Sequence, residues 1–142
     1  MKTIVVTSWY FNPLHPGHIE CFELSKMLGD ELWVIVNNDH QAMLKRWVPS
    51  FQDEQLRMRV VWALKSVDKA ILSIDTDHSV CKSLDMVFTQ IKELYHGYVH
   101  IVFTKWWDRF TKNIPEVQVC HDHWVTIIDW LGLKTHHSRD FV

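Results

Sequence analysis

The sequence predicts an α/β protein with a Rossmann-like open parallel sheet of about five strands and helices on both faces. Two observations predict it. Short apolar runs such as residues 3–7 (TIVVT) and 31–36 (ELWVIV) alternate with helical stretches, and several of these runs are apolar throughout. Strands of that kind are buried on both faces, as in parallel sheets built from βαβ units. A chain of 142 residues can bury one core, so we expect a single domain over residues 1–142.

The first half of the chain predicts two strands and two helices. The β-branched run 3–7 predicts a strand, and residues 8–16 (with two prolines) predict a loop. Apolar residues at helical spacing predict a helix over 17–28, which Gly29 ends. Residues 31–36 predict the second strand, followed by a polar turn at 37–39 and then a short helix and loop over 40–51.

The second half continues the alternation. Helices are predicted over 52–66 and 79–94, and strands over 70–74, 99–103 and 125–128. The helix over 52–66 carries four apolar residues on one face: Leu56, Val60, Ala63 and Leu64. No element is assigned between residues 104 and 124.

Composition and charge exclude several classes of protein. The formal net charge is −2, whereas a general nucleic-acid binder is usually basic. No apolar run approaches the roughly 18 residues of a membrane span, and the N-terminus lacks the features of a signal peptide. We therefore expect a cytoplasmic protein without nucleic-acid or membrane partners. The three cysteines are far apart and without a CxxC pair, which indicates free thiols.

The loop after the first predicted strand holds the most informative motif. It contains His15, Gly17 and His18 in the pattern HxGH and leads directly into a helix. A helix N-terminus offers unpaired N–H groups to a phosphate, and Gly17 lets the backbone approach closely. Two imidazoles could donate hydrogen bonds to phosphate oxygens. The alternative is that His15 and His18 only cap the helix.

The chain resembles the small nucleotidyltransferases of the cytidylyltransferase-like superfamily, whose N-terminal mark is (G)xFDxxHxGH. The resemblance extends over nearly the whole chain, through LGDELWVIVNND, EQLRMRVVWALKSVDKAIL, FTKWWDR and GLKTHHSRDF. It is closest to the heptose-phosphate adenylyltransferase type, followed by glycerol-phosphate cytidylyltransferases and archaeal-type FAD synthetases.

This resemblance implies transfer of a nucleoside monophosphate from ATP or CTP to a phosphorylated small molecule, with release of pyrophosphate. Mg²⁺ is implied as the cofactor, bridging phosphate oxygens with few protein ligands. His15, His18 and Lys45 would be catalytic, and Asn12 and Arg57 would bind the acceptor or a phosphate. The residues implied to bind the nucleotide are Tyr10, Phe11, Gly17, Asp108, Arg109, Thr135 and Ser138. A homodimer is expected on the resemblance alone.

Several of these residues have structural alternatives. Lys45 and Arg46 could be a solvated basic pair, and Arg57 could pair with Asp53 or Glu54 on its own helix. Asp108 could be a loop residue only, and Thr135 and Ser138 could cap a last helix. Asp75 and Asp77 resemble a metal pair, but we expect them to cap the helix that follows.

Two histidine clusters suggest zinc, Cys120-His121-Asp122-His123 and His136-His137. Their spacings are not those of structural zinc sites. We expect no metal held by the protein alone.

Two departures from the family bear on activity. Asn12 stands where many members have Asp. There are 8 Trp and only 4 Gly, so glycine is about 3% of the chain against an average near 7%. Seven of the tryptophans stand where family members commonly have or tolerate glycine: Trp9, Trp47, Trp62, Trp106, Trp107, Trp124 and Trp130. Trp33 matches an ordinary strand residue.

We therefore hypothesise that some or all of the seven are glycine in the natural protein, through UGA codons that specify glycine there. The alternative is that they are genuine aromatic residues. Indoles beside the nucleotide would tend to fill its pocket, which leads to a second functional hypothesis: a catalytically weak or inactive nucleotide-binding protein on the same fold.

A third hypothesis follows from the HxGH pattern, which class I aminoacyl-tRNA synthetases share. The chain is too short for such an enzyme and lacks the KMSKS-type lysine loop.

Overall fold

The computed structural model describes residues 1–9, 16–46, 52–104 and 115–128. The strands are β1 (Lys2–Trp9), β2 (Glu31–Val36), β3 (Lys69–Leu72), β4 (Val99–Thr104) and β5 (Thr126–Ile128). The helices are α1 (Pro16–Met27), α2 (Asp39–Arg46), α3 (Glu54–Trp62), α4 (Cys81–Leu94) and α5 (Glu116–Asp122).

The five strands form one sheet in the order β3-β2-β1-β4-β5, and every neighbouring pair is parallel. Strand β1 is central, since Val5 lies opposite Leu32 of β2 on one side and Val102 of β4 on the other. The chain runs outward through β2 and β3, then returns to the other side of β1 for β4. The strand order therefore reverses between β1 and β4, which is where such sheets bind ligands.

The sheet is covered on both faces, as predicted. On one face α4 contributes fully buried side chains, among them Leu84 and Phe88, which pack against Ile4 and Val6 of β1. On the other face Phe22 of α1 and Val61 of α3 pack against Val5 and its neighbours. Successive residues of β1 thus enter opposite cores, which explains why that strand is apolar throughout.

Most predicted elements are confirmed, with shifted ends. Strand β2 has the predicted bounds. Ser8 and Trp9 were expected in the loop after the first strand but belong to β1, where they pair with Ile35 and Val36 of β2. The hydrogen bonds available from β2 extend the first strand beyond its β-branched run.

The helix predicted over 52–66 is shorter, and of its predicted apolar face Leu64 packs against the core, just beyond the end of the helix. Asp53 caps α3 by accepting a hydrogen bond from the Leu56 amide, and the helix ends at Trp62. Its buried residues are Arg57 and Val61, while Leu56 is exposed. Hydrogen bonds to a buried arginine, described below, set the orientation of this helix instead of its apolar pattern.

Helix α5 was not predicted. It has seven residues and buries Glu116 and Cys120 against the α4 side of the sheet. Its short, mixed sequence gives almost no periodic signal. None of the described helices combines the length and the apolarity that crossing a bilayer requires.

Candidate active site

The first turn of α1 lies at the point where strand order reverses. Strand β1 ends at Trp9, and α1 begins at Pro16, whose missing N–H is no loss at a first helical position. Gly17 and His18 follow and are both buried. The N-terminus of α1, with Gly17 and His18 in its first turn, thus follows the central strand in the chain, and a helix N-terminus is the kind of element that binds anions.

Buried hydroxyl groups tie α1 to the two strands that flank this point. The Thr7 hydroxyl of β1 donates to the Thr104 carbonyl oxygen of β4 at 2.9 Å. The hydroxyl groups of Ser25 in α1 and Thr104 lie 3.1 Å apart and share a hydrogen bond. These contacts hold helix and strands in one arrangement, because they fix the last turn of α1 relative to the end of β4.

A second polar network lies at the carboxyl ends of β2 and β3. Asn38 follows β2, and its side-chain amide donates to the carbonyl oxygens of Ser73 at 3.1 Å and Asp75 at 2.8 Å. The Asn38 side-chain oxygen accepts from the Gln41 amide at 2.9 Å, which caps the start of α2.

Gln41 is the centre of this network and is fully buried. Its side-chain amide donates to the carbonyl oxygens of Asp77 at 2.9 Å and Ser79 at 2.8 Å. Its side-chain oxygen accepts from the side-chain amide of Asn37 at 3.1 Å and from the Ser73 hydroxyl. Hydrogen bonds of Gln41 therefore hold α2 against the segment between β3 and α4.

Arg57 of α3 also stabilises the position of α2, through contacts at the start of that helix. Its side chain is 0% exposed. Its guanidinium donates to the Asn37 carbonyl oxygen at 2.7 Å, to the Gln52 carbonyl oxygen at 3.0 Å and to the Asp39 carboxylate at 2.8 Å. Arg57 pairs with Asp39, and not with Asp53 or Glu54, the partners considered from sequence. These contacts hold the end of β2 and the start of α2, the helix that carries Lys45.

Of the two aspartates after β3, Asp75 caps α4 as expected, whereas Asp77 bonds to Ser79 outside that helix. The Asp75 carboxylate is buried and accepts from the amides of Lys82 at 2.8 Å and Ser83 at 2.9 Å, and from the Ser83 hydroxyl. Asp77 accepts from the Ser79 amide at 2.9 Å and hydroxyl at 2.8 Å. These hydrogen bonds from Ser79 lower the pKa of the Asp77 carboxyl.

The cysteines are free thiols, as predicted. Burial raises the pKa of the Cys21 thiol to about 12, which outweighs the opposite effect of a hydrogen bond with Ser25. Burial also raises the pKa of Cys81. Thiols protonated at neutral pH are poor nucleophiles, so neither residue is a candidate for covalent catalysis. Within residues 1–9, 16–46, 52–104 and 115–128, no three His, Cys, Asp or Glu side chains group as metal ligands.

The predicted site residues divide into two sets. Gly17, His18 and Arg57 are described, and Lys45 lies in the last turn of α2. The others lie outside the described residues: Tyr10, Phe11, Asn12, His15, Asp108, Arg109, Thr135 and Ser138. Their predicted roles stay predictions, as do the ligand roles of the described residues.

Sequence analysis missed the residues that hold α2. Asn38, Gln41 and Ser73 are uncharged and carry no known motif. One signal was available: three polar residues, Asn37, Asn38 and Asp39, follow a fully apolar strand, at the sheet edge where ligand sites form.

Comparison with known proteins gives consistent matches. The family model described as cytidylyltransferase-like matches residues 10–129. An FAD synthase from Methanocorpusculum labreanum is 35% identical over 144 residues, which cover 100% of this chain and 94% of that protein. An FAD synthase from Archaeoglobus profundus is 49% identical over 73 residues, covering 51% of this chain and 46% of that protein.

A solved structure has the same fold. The lipopolysaccharide core biosynthesis protein from Thermoplasma volcanium superposes with a TM-score of 0.61 at 24% identity. The match covers 93% of this chain and 98% of that one. The predicted fold class is therefore confirmed by the described sheet and by this likeness.

Proposed function

The chain belongs to the cytidylyltransferase-like family of nucleotidyltransferases, and on that premise we propose that it transfers AMP from ATP to flavin mononucleotide, forming FAD and pyrophosphate. The observation that carries the proposal is the 35% identity to an FAD synthase, which extends over the whole chain. We also propose that residues 1–142 form a single catalytic domain.

The proposed reaction is an in-line displacement. A phosphate oxygen of flavin mononucleotide forms a bond to the α-phosphorus of ATP. The bond from that phosphorus to the oxygen bridging the α- and β-phosphates breaks, and pyrophosphate leaves with the bonding electrons. A phosphate dianion needs no proton removed before it attacks. The protein's task is then to bring two anions together and to stabilise the charge on the transferred group.

The described arrangement supports particular roles. The N-terminus of α1, with Gly17 and His18, would bind phosphate oxygens of ATP, and His15 would join them from the preceding loop. Lys45 would contact a phosphate from the end of α2. Arg57 would hold α2 in place, with direct contact to the acceptor phosphate as the second role predicted for it.

The remaining assignments rest on the family resemblance. Tyr10, Phe11, Asp108 and Arg109 would face the nucleotide, Thr135 and Ser138 would donate hydroxyl groups to phosphates, and Asn12 would contact the acceptor. Mg²⁺ would be held mainly by phosphate oxygens, with few ligands from the protein.

A second function is favoured by one observation, the excess of tryptophan. If Trp9, Trp106 and Trp107 fill the space that a nucleotide needs, the chain would bind nucleotide weakly and turn over slowly or not at all. Nucleotide binding without product would identify this function.

The test is an assay of FAD by chromatography and of pyrophosphate by a coupled enzyme, with ATP, Mg²⁺ and flavin mononucleotide. Parallel reactions would contain CTP with glycerol phosphate and ATP with a heptose phosphate. We expect FAD only with ATP and flavin mononucleotide. Product from another pair would replace the proposed substrates, and no pyrophosphate from any pair would contradict catalysis.

A matched pair of histidine variants tests whether the activity depends on the HxGH motif. His18→Asn should lose at least a hundredfold in kcat if its ring stabilises the transition state (~2.7 kcal/mol or more). His40→Asn changes an exposed histidine outside the motif and should retain activity. Circular dichroism on both variants would separate lost catalysis from lost folding.

A further inference from the structure

The three tryptophans whose side chains are described occupy two different environments. Trp33 is 4% exposed in the core, its indole N–H donates to Glu31 at 3.0 Å, and the Lys69 ammonium lies 4.5 Å from its ring centroid. This is how a large amphipathic ring is ordinarily used. Trp62 and Trp124, by contrast, are 51% and 90% exposed.

Trp124 also has a backbone conformation that suits glycine. Its φ is 60°, in the left-handed region. It follows the C-cap residue of α5, His123. The Val125 amide donates to the Cys120 carbonyl oxygen at 2.8 Å and the Trp124 amide to that of His121 at 3.2 Å. These two hydrogen bonds form a Schellman motif, in which the position of Trp124 is usually glycine.

The end of α4 provides a comparison within the molecule. There His96 occupies the position equivalent to Trp124 and has a φ of 53°. The same two hydrogen bonds are present: the Gly97 amide donates to the Lys92 carbonyl oxygen at 2.8 Å, and the His96 amide donates to the Glu93 carbonyl oxygen at 3.3 Å. Histidine is among the residue types enriched at positive φ, whereas a bulky residue such as tryptophan is an outlier there. Trp124 therefore has neither the burial nor the conformation expected of its residue type.

We infer that position 124 is glycine in the natural protein. For the other six tryptophans distinguished by sequence, the same hypothesis rests on the composition and on the family resemblance. The coding sequence would contain UGA at these positions, translated as glycine in the source organism and as tryptophan under a code that assigns UGA to tryptophan. Glycine would rise from 4 to 11 residues, about 8% of the chain, close to the average. Trp47, Trp106, Trp107 and Trp130 lie outside the described residues, and only the backbone of Trp9 is described.

The inference has a functional consequence, which rests on the proposed function. Trp9 ends β1, directly before the HxGH loop, and a glycine there would let the backbone approach a phosphate closely. We define the glycine form as the chain with all seven tryptophans replaced. It should bind ATP at least tenfold more tightly than the tryptophan form by calorimetry. Equal affinities would contradict this consequence.

The first test reads the codons at the eight tryptophan positions in the gene. We expect UGG at Trp33 and UGA at the other seven. A UGG codon at Trp124 would overturn the inference, and UGG at any other of the seven would overturn it for that position.

The second test is mass spectrometry of the protein from its native source. The tryptic peptide over residues 113–134 contains Trp124 and Trp130, and the peptide over 60–65 contains Trp62. We expect masses with glycine in both, while the peptide over 27–45 retains Trp33 as an internal control. Tryptophan at position 124 would overturn the inference even if its codon is UGA. Neither test depends on enzymatic activity. If the FAD assay fails, the codons and the peptide masses still decide whether these positions are glycine.

Discussion

At the scale of single residues, Arg57 shows how a charge can be stabilising inside a helix that packs on a sheet. Its guanidinium donates to two carbonyl oxygens and to Asp39, whose side chain is 43% exposed. Because water still reaches the carboxylate, most of the stabilisation comes from hydrogen bonds to a charged donor, each contributing about 1.5–3 kcal/mol.

Replacing Arg57 with methionine should therefore lower the free energy of unfolding by about 3 kcal/mol, since buried carbonyl oxygens lose their donors. Arg57→Lys should recover only part of this, because an ammonium cannot match the guanidinium fork. Urea denaturation would measure both. Arg59→Met, an exposed change on the same helix, is the control and should stay within about 0.5 kcal/mol of the parent. Equal effects at 57 and 59 would refute the role given to Arg57.

Trp124 should be destabilising as it stands. Trp124→Gly removes the side chain from a left-handed conformation and should raise the free energy of unfolding by about 1 kcal/mol. Trp124→Ala keeps a Cβ atom and should gain little. Thermal denaturation of both variants checks this, and a glycine variant no more stable than the alanine variant would contradict it.

We predict that the Cys21 thiol makes the folded chain less stable at alkaline pH. Burial raises the pKa of this thiol in the folded chain to about 12, above the ordinary value of 9.0. A raised pKa means that the stabilisation is complete below pH 9 and is lost as the pH rises toward 12, because only the unfolded chain releases the proton easily. The slope approaches about 1.4 kcal/mol per pH unit. Urea denaturation between pH 8 and 11 should show a shallower decline for Cys21→Ala than for the parent chain. Parallel declines would show that other groups cause the loss.

At the scale of elements, the caps of α4 come from residues distant in sequence from its first turn. The N-cap residue Val80 offers no side-chain acceptor. The Asp75 carboxylate instead accepts from the second and third helical amides, and the Glu116 carboxylate of α5 accepts from the Val80 amide at 3.1 Å. Glu116 thereby links the start of α4 to the start of α5.

Asp75→Ala should lower the free energy of unfolding by about 2 kcal/mol, the upper end for a lost N-terminal cap, because the site is buried. Asp77→Ala removes an exposed carboxylate two residues away and should cost about 0.5 kcal/mol or less. Chemical denaturation of the pair is the measurement. Similar losses in the two variants would show that the cap position itself is unimportant.

The ends of the predicted elements depended on the same long-range contacts. The β-branched run 3–7 predicted the centre of β1, but pairing with β2 extended it to Trp9. The helix over 52–66 was predicted to present Leu56 on its apolar face, whereas the structure buries Arg57. A pattern of apolar residues cannot anticipate a charged residue whose partners come from another element.

At the scale of the whole molecule, nucleotide binding should stabilise the fold, because the proposed site would join α1 to the carboxyl ends of β1 and β4. At a hundredfold excess over Kd a ligand specific to the folded state adds about 2.7 kcal/mol. We expect a higher Tm with ATP and Mg²⁺ than with CTP and Mg²⁺ in a thermal-shift assay. A larger Tm shift with CTP would indicate CTP, and not ATP, as the nucleotide donor. The same shifts would then be measured on the glycine form, to test whether the tryptophans, by filling the pocket, had altered the preference.

Local patterns in the sequence were sufficient to predict the parallel α/β fold, the bounds of β2 and the position of Gly17 and His18 at the start of the first helix. These depend on local periodicity and on motif order, which a chain carries in its residues alone. The folded chain was needed to reveal the burial of Arg57, the caps of α4 and the packing of the short helix α5. Each of these depends on a hydrogen bond or packing contact between segments whose proximity exists only after folding, so no local pattern encodes them.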